Sequence, residues 1–356
     1  MNIRIFSSEL VFLGEIDNFS SLTFQRRLYE AGQFILKTFF SPENYTLLKA
    51  GNLIMVGNDA TKVGLIKEFT YQQEGNTEII TIKGYELKTI LSQRITIPIS
   101  PDSHQSFSGI ETETIMKEIV QRNCKTYFNF PLLELATDLG RGATFDFNSR
   151  YKKVADELKN LGVQDGFGWK VYLDLAAGKY EFDIIEGTDR TSTSANPVIF
   201  ADKWNNIRNQ IYSKSDMNSY NYAIVGGQGE GALRTIVETG GSETGVDLIV
   251  NFVDARDINV TAELTARGDA KISENSSVES FECTIISDKP FEKDVDYFLG
   301  DYVTIQNEKL GLQLNKQITG INEYYQAQNE IVEVIFGAAV KGIISLINDK
   351  TDSGII

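Results

Sequence analysis

Histidine occurs once in the chain, at His104, and cysteine twice, at Cys124 and Cys283. A single histidine excludes the common His-rich zinc sites and leaves any Ser-His-Asp triad resting on one residue. His104 sits in a polar stretch, Ser100-Pro101-Asp102-Ser103-His104-Gln105-Ser106, and is read as a solvated loop residue. The two cysteines lie far apart in sequence and are read as buried reduced thiols, with a disulfide as the alternative and a two-Cys metal site disfavoured. Proline is scarce, with 6 residues, so few strands or helices are interrupted. Positive charge is also short: 34 Lys and Arg against 49 Asp and Glu give a net charge of −15. That balance argues against nucleic acid or an anionic membrane as a surface-bound partner, since both need basic patches. It does not exclude an acidic channel through which DNA passes without sticking. No apolar run reaches the roughly 18 residues a spanning helix needs, so no membrane anchoring is expected. No N-terminal signal precedes Met1-Asn2-Ile3-Arg4-Ile5-Phe6, which reads as a first strand, so synthesis and folding in a cytoplasm are expected.

What is abundant is sheet chemistry. The chain has 356 residues, enough for two to four domains, and carries 21 Phe and 15 Tyr beside many Val, Ile and Thr. Residues 1–105 read as an antiparallel β module, punctuated by Gly14, Gly32, Gly51, Gly64, Gly75 and Gly84. Phe34 to Phe40 is a buried strand ended by Ser41-Pro42, and Gly84 to Leu91 is a short closing helix. Residues 106–197 read as a small α+β domain. Ser108 and Glu111 fit a capping box for a helix bearing Ile115, Met116, Ile119 and Val120. A second helix carries Tyr151, Val154, Ala155, Leu158 and Leu161 and stops at Gly162. Trp169 to Asp174 and Lys179 to Ile184 then form a hairpin. A second β module covers 198–253 and 279–340. It is interrupted at 254–278 by a helical insertion, in which Asp257 is a cap and Val260, Leu264 and Ile272 are the apolar face. Residues 341–356 form a C-terminal tail, and Ala338 to Ile347 is mildly amphipathic, a candidate docking helix.

The two β modules repeat one pattern. Leu48 to Val56, with Gly51-Asn52, matches Tyr297 to Ile305, with Gly300-Asp301. Each is followed by a strand, a polar hairpin (Tyr71 to Asn76 and Tyr324 to Asn329) and a last strand closing near Gly84 or Gly337. The match needs a gap of four residues before the hairpin and one more to align the buried faces of the last strand. The fold class expected is mainly β with α+β insertions: two similar antiparallel β-barrel domains, a small α+β domain and a helical insertion. Three such chains around an axis present six similar barrels, a way for a trimer to meet a six-fold ring.

Chemistry-bearing motifs are weak. Val225-Gly226-Gly227-Gln228-Gly229-Glu230-Gly231-Ala232 follows a strand and contains Gly227-x-Gly229-x-x-Ala232, near a dinucleotide fingerprint. The residues after it, Leu233 to Thr239, are β-rich and open no helix, so a hairpin tip is the better reading. Asp183, Glu186 and Asp189, and Asp294, Asp296 and Asp301, are acidic clusters without calcium-loop spacing. They read as solvated faces and turns, and a carboxylate hydrolase remains an alternative. No catalytic, cofactor-binding or metal residues are assigned, and no cofactor is expected.

The order of several segments resembles the tail-hub proteins of long-tailed phages, the Gp37-like tail proteins of siphoviruses, which are similar in fold to myophage baseplate hubs. The segments are Gly84-Tyr85-Glu86-Leu87 through Leu91 and Arg94; Phe167-Gly168-Trp169-Lys170 through Asp174; Gly187-Thr188-Asp189-Arg190; Val225 to Gly231 with Arg234; Val253-Asp254-Ala255-Arg256-Asp257-Ile258; and Leu299-Gly300-Asp301-Tyr302-Val303. The resemblance spans about 30–340. It implies a non-enzymatic homotrimer in the virion tail, assembled in the bacterial host cytoplasm. It also implies two barrel domains that form a pseudo-six-fold torus, and two further domains that extend the hub distally. The hub would join the tail tube or distal tail protein to a tail-tip or fibre protein, with tape-measure protein and DNA only in transit through its lumen. The chain stops at Ile356, so receptor binding and wall cleavage would fall to other proteins. The competing readings are a nucleotide-binding or carboxylate-dependent enzyme and a glycan- or receptor-binding tail protein.

Overall fold

The computed structural model describes residues 1–286, 290–326 and 329–337. The tail 341–356 and the candidate docking helix lie outside them. The chain is mainly β. It divides into two compact units, Met1–Gln210 with Glu282–Phe336, and Ile211–Phe281 with Gly337–Ile356. No helix among the described residues is long and apolar enough to cross a membrane.

The first unit is built on one long sheet. Strand Phe19–Arg27 pairs antiparallel with Gln33–Phe39, which pairs with Thr77–Glu86, which pairs with Val63–Glu74. Beyond these come Leu53–Val56, Ile3–Phe6 and Phe12–Ile16. On the other side, Phe19–Arg27 pairs with Leu312–Gln326, which pairs with Asn329–Gly337 and, near its start, with Tyr302–Asn307. The sheet path continues through Val278–Ile285 to Ile207–Ser215 and ends there. The two β modules therefore share one open, continuous sheet, and among the described residues no ladder joins its ends.

The repeat is visible bond by bond. Gly51 N donates to Ile66 O (3.0 Å) and Ile66 N to Asn52 O (2.9 Å). Gly300 N likewise donates to Ile318 O (2.9 Å) and Ile318 N to Asp301 O (2.8 Å). Gly51 and Gly300 both hold left-handed backbone, φ 94° and 101°, which glycine adopts without a Cβ clash. Both following strands are bulged at the same point, between Ile66 and Glu68 and between Ile318 and Gly320. From there the hairpins end alike, with Glu74 opposite Thr77 and Gln326 opposite Asn329. Gln72, not Tyr71, is thus the counterpart of Tyr324. The sequence match was one residue out at the hairpin because aligned tyrosines outweighed the gap.

Two apolar cores flank the first module. Period-two alternation puts Leu22, Phe24, Phe34, Leu36, Ile54, Ile80 and Ile82 on one face. The other face, with Leu53, Met55, Val63 and Leu65, shares a core with the α+β segment. All four residues of Leu53–Val56 are therefore buried. Gly64 and Gly84 lie inside strands rather than at turns. A Cβ on either would meet the Phe34 ring, at 2.4 and 2.6 Å.

Several local expectations change. Ser108 to Glu111 belong to strand Gln105–Glu111, paired with Thr144–Ser149, and Ser108 Oγ donates to Asp146 (2.7 Å) instead of capping. The helix starts at Thr112. The next helix, Val154–Asp165, runs through Gly162 and ends at Gly166, whose φ of 73° suits glycine. Gly162 is small because the Phe167 carbonyl would stand 2.1 Å from its Cβ. The first-module strand continues to Glu86, and only a 3-10 turn, Leu87–Gln93, follows. Ser41-Pro42 ends its strand by opening a helix, Pro42–Leu47, with Ser41 Oγ accepting from Asn44 N. The hairpin Gly168–Asp174 with Lys179–Ile185 forms as read.

In the second unit, strand Tyr222–Gly226 pairs antiparallel with Ile236–Gly240 and parallel with Val250–Asp254. Helix Thr261–Glu274 packs on this sheet through Leu264, over Ala223, Val225 and Val253. Val260 precedes that helix and is exposed, and Asp257 pairs with Arg267 (3.5 Å) rather than capping it.

Candidate functional site

The joint between the two modules holds the densest set of buried charges. The pairing of Phe19–Arg27 with Leu312–Gln326 sets Arg26 opposite Ile321, and Phe24 opposite Glu323. Alternation then continues the Leu22, Phe24 row with Arg26, and the Ile321 row with Glu323, on the buried side. Arg26 and Glu323 become diagonal neighbours, within reach across one ladder.

Arg26 binds Asp294 through two parallel bonds, Nη1 to Oδ1 at 3.0 Å and Nη2 to Oδ2 at 3.1 Å. Its Nη2 also reaches Glu323 Oε1 at 3.4 Å. Lys62 Nζ lies 2.9 Å from Glu323 Oε1 and 3.2 Å from Asp294 Oδ2. Lys293 bridges Glu323 and Glu330. Burial works against the charged form of each carboxylate, but the cations prevail and hold Glu323 and Asp294 below their ordinary range. Burial also works against Arg26 and Lys62, and the two carboxylates nonetheless hold both above their usual values. Beside this cluster a cavity of about 560 Å³ opens, lined by Met1, Asp59, Lys62, Asp294, Tyr325 and Glu330 among others. The cluster is a fastening between strands distant in sequence.

The segments carrying the family resemblance turn out to be further fastenings. The Glu86 carboxylate accepts from Arg27 N (3.1 Å) and Gly32 N (2.7 Å), pinning the Leu28–Gly32 turn. Buried Lys88 donates to the carbonyls of Arg27 and Trp169. Burial pushes its ammonium below the usual lysine value. The Asp301 carboxylate accepts from Thr188 N (2.8 Å), Phe298 N (3.0 Å) and Arg190 Nε (2.7 Å). This ties the Gly187-to-Arg190 segment to the Leu299-to-Val303 segment. In the second unit, Arg234 donates to the carbonyls of Gly226 (2.8 Å) and Gly227 (3.0 Å) and pairs with Asp254.

The glycine-rich loop 226–232 is a hairpin connection, as the β-rich residues after it required, and runs into Ile236–Gly240. It is anchored: Gly227 N donates to Thr235 O (2.8 Å) and Gln228 N to Ile258 O (2.9 Å). The acidic clusters do not converge on common points. Asp183 faces Lys117 and Lys170, Glu186 pairs with Arg141, and Asp189 accepts from Thr191 N. Asp296 accepts from Glu292 N, while Asp294 and Asp301 serve the two fastenings above. His104 is exposed, its Nδ1 2.9 Å from Ser103 Oγ. Cys124 and Cys283 are buried and free, and burial pushes the Cys124 thiol up to about 12. Sequence reading missed Arg26, Lys88, Glu113 and Glu323. The signal for Arg26 and Glu323 was present: each continues an alternating apolar row.

The fold is shared with several solved phage tail proteins. The 43 kDa tail protein of prophage MuSo2 from Shewanella oneidensis aligns with a TM-score of 0.60 at 14% identity, covering 94% of this chain and 98% of that one. The tail protein from Neisseria meningitidis MC58 gives 0.58 at 11%, covering 94% and 96%. Prophage tail protein gp18 from Listeria monocytogenes EGD-e gives 0.56 at 13%, covering 99% of each. Curated proteins give no match. The family described as Siphovirus ReqiPepy6 Gp37-like protein matches residues 2–338, and the chain belongs to it.

Proposed function

We propose that this chain is the structural hub of a phage tail, a homotrimer that adapts the six-fold tail tube to a three-fold tip. The observation that carries the reading is the internal repeat. Two β modules with the same glycine turn, the same bulge and the same hairpin end lie side by side in one sheet. Three copies would present six equivalent modules, which resolves the mismatch between a trimer and a six-fold ring. Membership of a siphovirus tail family supports it.

In this reading 1–105, and 198–253 with 279–340, are the two β-barrel domains, closed only in the assembly. The α+β domain at 106–197 and the insertion at 254–278 extend the hub distally. Tail-tube or distal tail protein would dock on the ring, a tip or fibre protein below it, and tape-measure protein and DNA would pass through an acidic lumen. No enzymatic step is part of this reading, and membership of a tail-protein family supports a structural role.

The test is the solution mass by light scattering over a concentration series, alone and with tail-tube protein, followed by electron microscopy of the mixture. A trimer that stacks on the tube ring supports the hub. A chain that stays monomeric in both conditions overturns it.

A further inference from the structure

The sheet path contains one four-strand motif twice. One copy is Phe19–Arg27, Gln33–Phe39, Thr77–Glu86, Val63–Glu74; the other is Ile207–Ser215, Val278–Ile285, Asn329–Gly337, Leu312–Gln326. The motifs meet where the first strand of one, Phe19–Arg27, pairs with the last strand of the other, Leu312–Gln326. The reciprocal joint would bring Ile207–Ser215 against Val63–Glu74. Within one chain both of those edges are open. Val63–Glu74 is covered on its outer side from Val63 to Leu65 by Leu53–Val56 and at Ile66 by Gly51 and Asn52. Among the described residues no strand lies along the outer side of its exposed half, Lys67 to Glu74, or along Ile207–Ser215. Open edges with unpaired N–H and C=O groups are templates for another strand.

We infer that Ile207–Ser215 of one copy pairs antiparallel with the Glu68-to-Gln73 edge of the next, closing the sheets head to tail into a ring. This rests on the trimeric hub reading and names the surface that would build it. The occupant is a second copy because the missing partner of each edge is the other edge, and the in-chain joint shows how the pair fits. A heterologous contact of this kind needs no self-complementary patch, and builds a cyclic ring when the rotation between successive copies closes.

The in-chain joint also sets the register. Phe19–Arg27 and Ile207–Ser215 are both nine residues long. Both are irregular at the same place: a bulge between Phe19 and Ser21, and a left-handed Asn209, φ 51°. Arg27 opposite Gly320 through Leu22 opposite Tyr325 then becomes Ser215 opposite Glu68 through Gln210 opposite Gln73. Lys214, the counterpart of Arg26, falls opposite Phe69; Tyr212 opposite Tyr71; Ser213 opposite Thr70. Each is a favourable cross-strand pair: a cation over a ring, two aromatics, and two hydroxyls.

Directly opposed residues of an antiparallel pair have Cα atoms about 4.5–5.5 Å apart, within the span a disulfide bridges. The test is the full chain carrying Ser213→Cys and Thr70→Cys, oxidised in the oligomer isolated by size exclusion and run on a non-reducing gel. Both native cysteines are buried, which keeps the background low. Covalent dimers and trimers from the double variant support the inference. They must be absent from each single variant and weak when Thr70→Cys is replaced by Gln72→Cys, two residues out of register. An oligomer that forms but gives no cross-link in the double variant, or the same cross-links in a single variant, overturns this edge pairing and leaves the hub reading standing. Absence of any oligomer, with and without tail-tube protein, overturns the hub reading and this inference together.

Discussion

Glu323 shows what a single residue contributes at the joint. Its side chain is fully buried and faces three cations, Arg26, Lys62 and Lys293. Removing one charge from such a set leaves the others desolvated and underpaired, which costs about 3–5 kcal/mol. Glu323→Gln is therefore expected to lower stability by about 3 kcal/mol in urea titration, well beyond a change at exposed Glu308. A second buried carboxylate sets the acid limit. Glu113 accepts from Arg141 and Lys117, and although burial opposes ionisation these bonds bring it from 4.5 down to about 2. Because its folded value is depressed, its stabilisation is complete above the ordinary carboxylate range and fades as pH falls through about 2. Glu323 and Asp294 act in the same direction. The urea midpoint should drop steadily between pH 4.5 and pH 2, and Glu113→Gln should flatten that drop while lowering the neutral-pH value. A midpoint independent of pH over this window would mean these carboxylates carry no linkage.

At the scale of elements, the close approach of strands to the Phe34 ring governs the first module. A Cβ on Gly84 would stand 2.1 Å from the Leu65 carbonyl and 2.6 Å from the ring. Gly84→Ala should therefore cost about 2–3 kcal/mol through forced displacement, against well under 1 kcal/mol for an alanine at a strand position with room. Equal stability of the two would show that the ring can shift. This position also marks the limit of what was legible. Glycines at 64 and 84 look like turns in sequence, since turns favour glycine, and only the packing of a distant phenylalanine explains them inside strands. The hairpin at 168–185 and the apolar faces built on Ile115, Met116, Ile119 and Val120 and on Val154, Ala155, Leu158 and Leu161 were readable, because each rests on local periodicity; Tyr151 and Val260, placed on helices by the same pattern, lie outside them and are exposed. The shared sheet was not readable, because the pairing of residues 22–27 with 320–325 is a long-range choice that no local pattern encodes. The hydroxyl of Ser108 was misread for the same reason: the strand Thr144–Ser149 claims its segment before a helix can use it as a cap.

For the whole molecule, the net charge of −15 decides how copies meet. Like-charged subunits repel, and the repulsion is long-ranged at low salt. The proposed edge pairing brings together residues that are mostly neutral, Gln210, Tyr212 and Ser213 against Gln73, Tyr71 and Thr70, with Lys214 on one strand and Glu68 on the other as its charged members. Backbone ladder bonds and these side-chain pairs are short-ranged and little screened, whereas the repulsion between whole subunits is screened beyond about 8 Å at physiological salt. Salt should therefore tighten the assembly: raising it from about 20 to about 300 mM shortens the Debye length roughly fourfold, and the midpoint concentration of association should fall by about tenfold. Light scattering at a series of salt concentrations measures this directly. A trimer weakened by salt would instead point to an interface held by ion pairs, for which the charged surfaces beyond the two open edges would have to account.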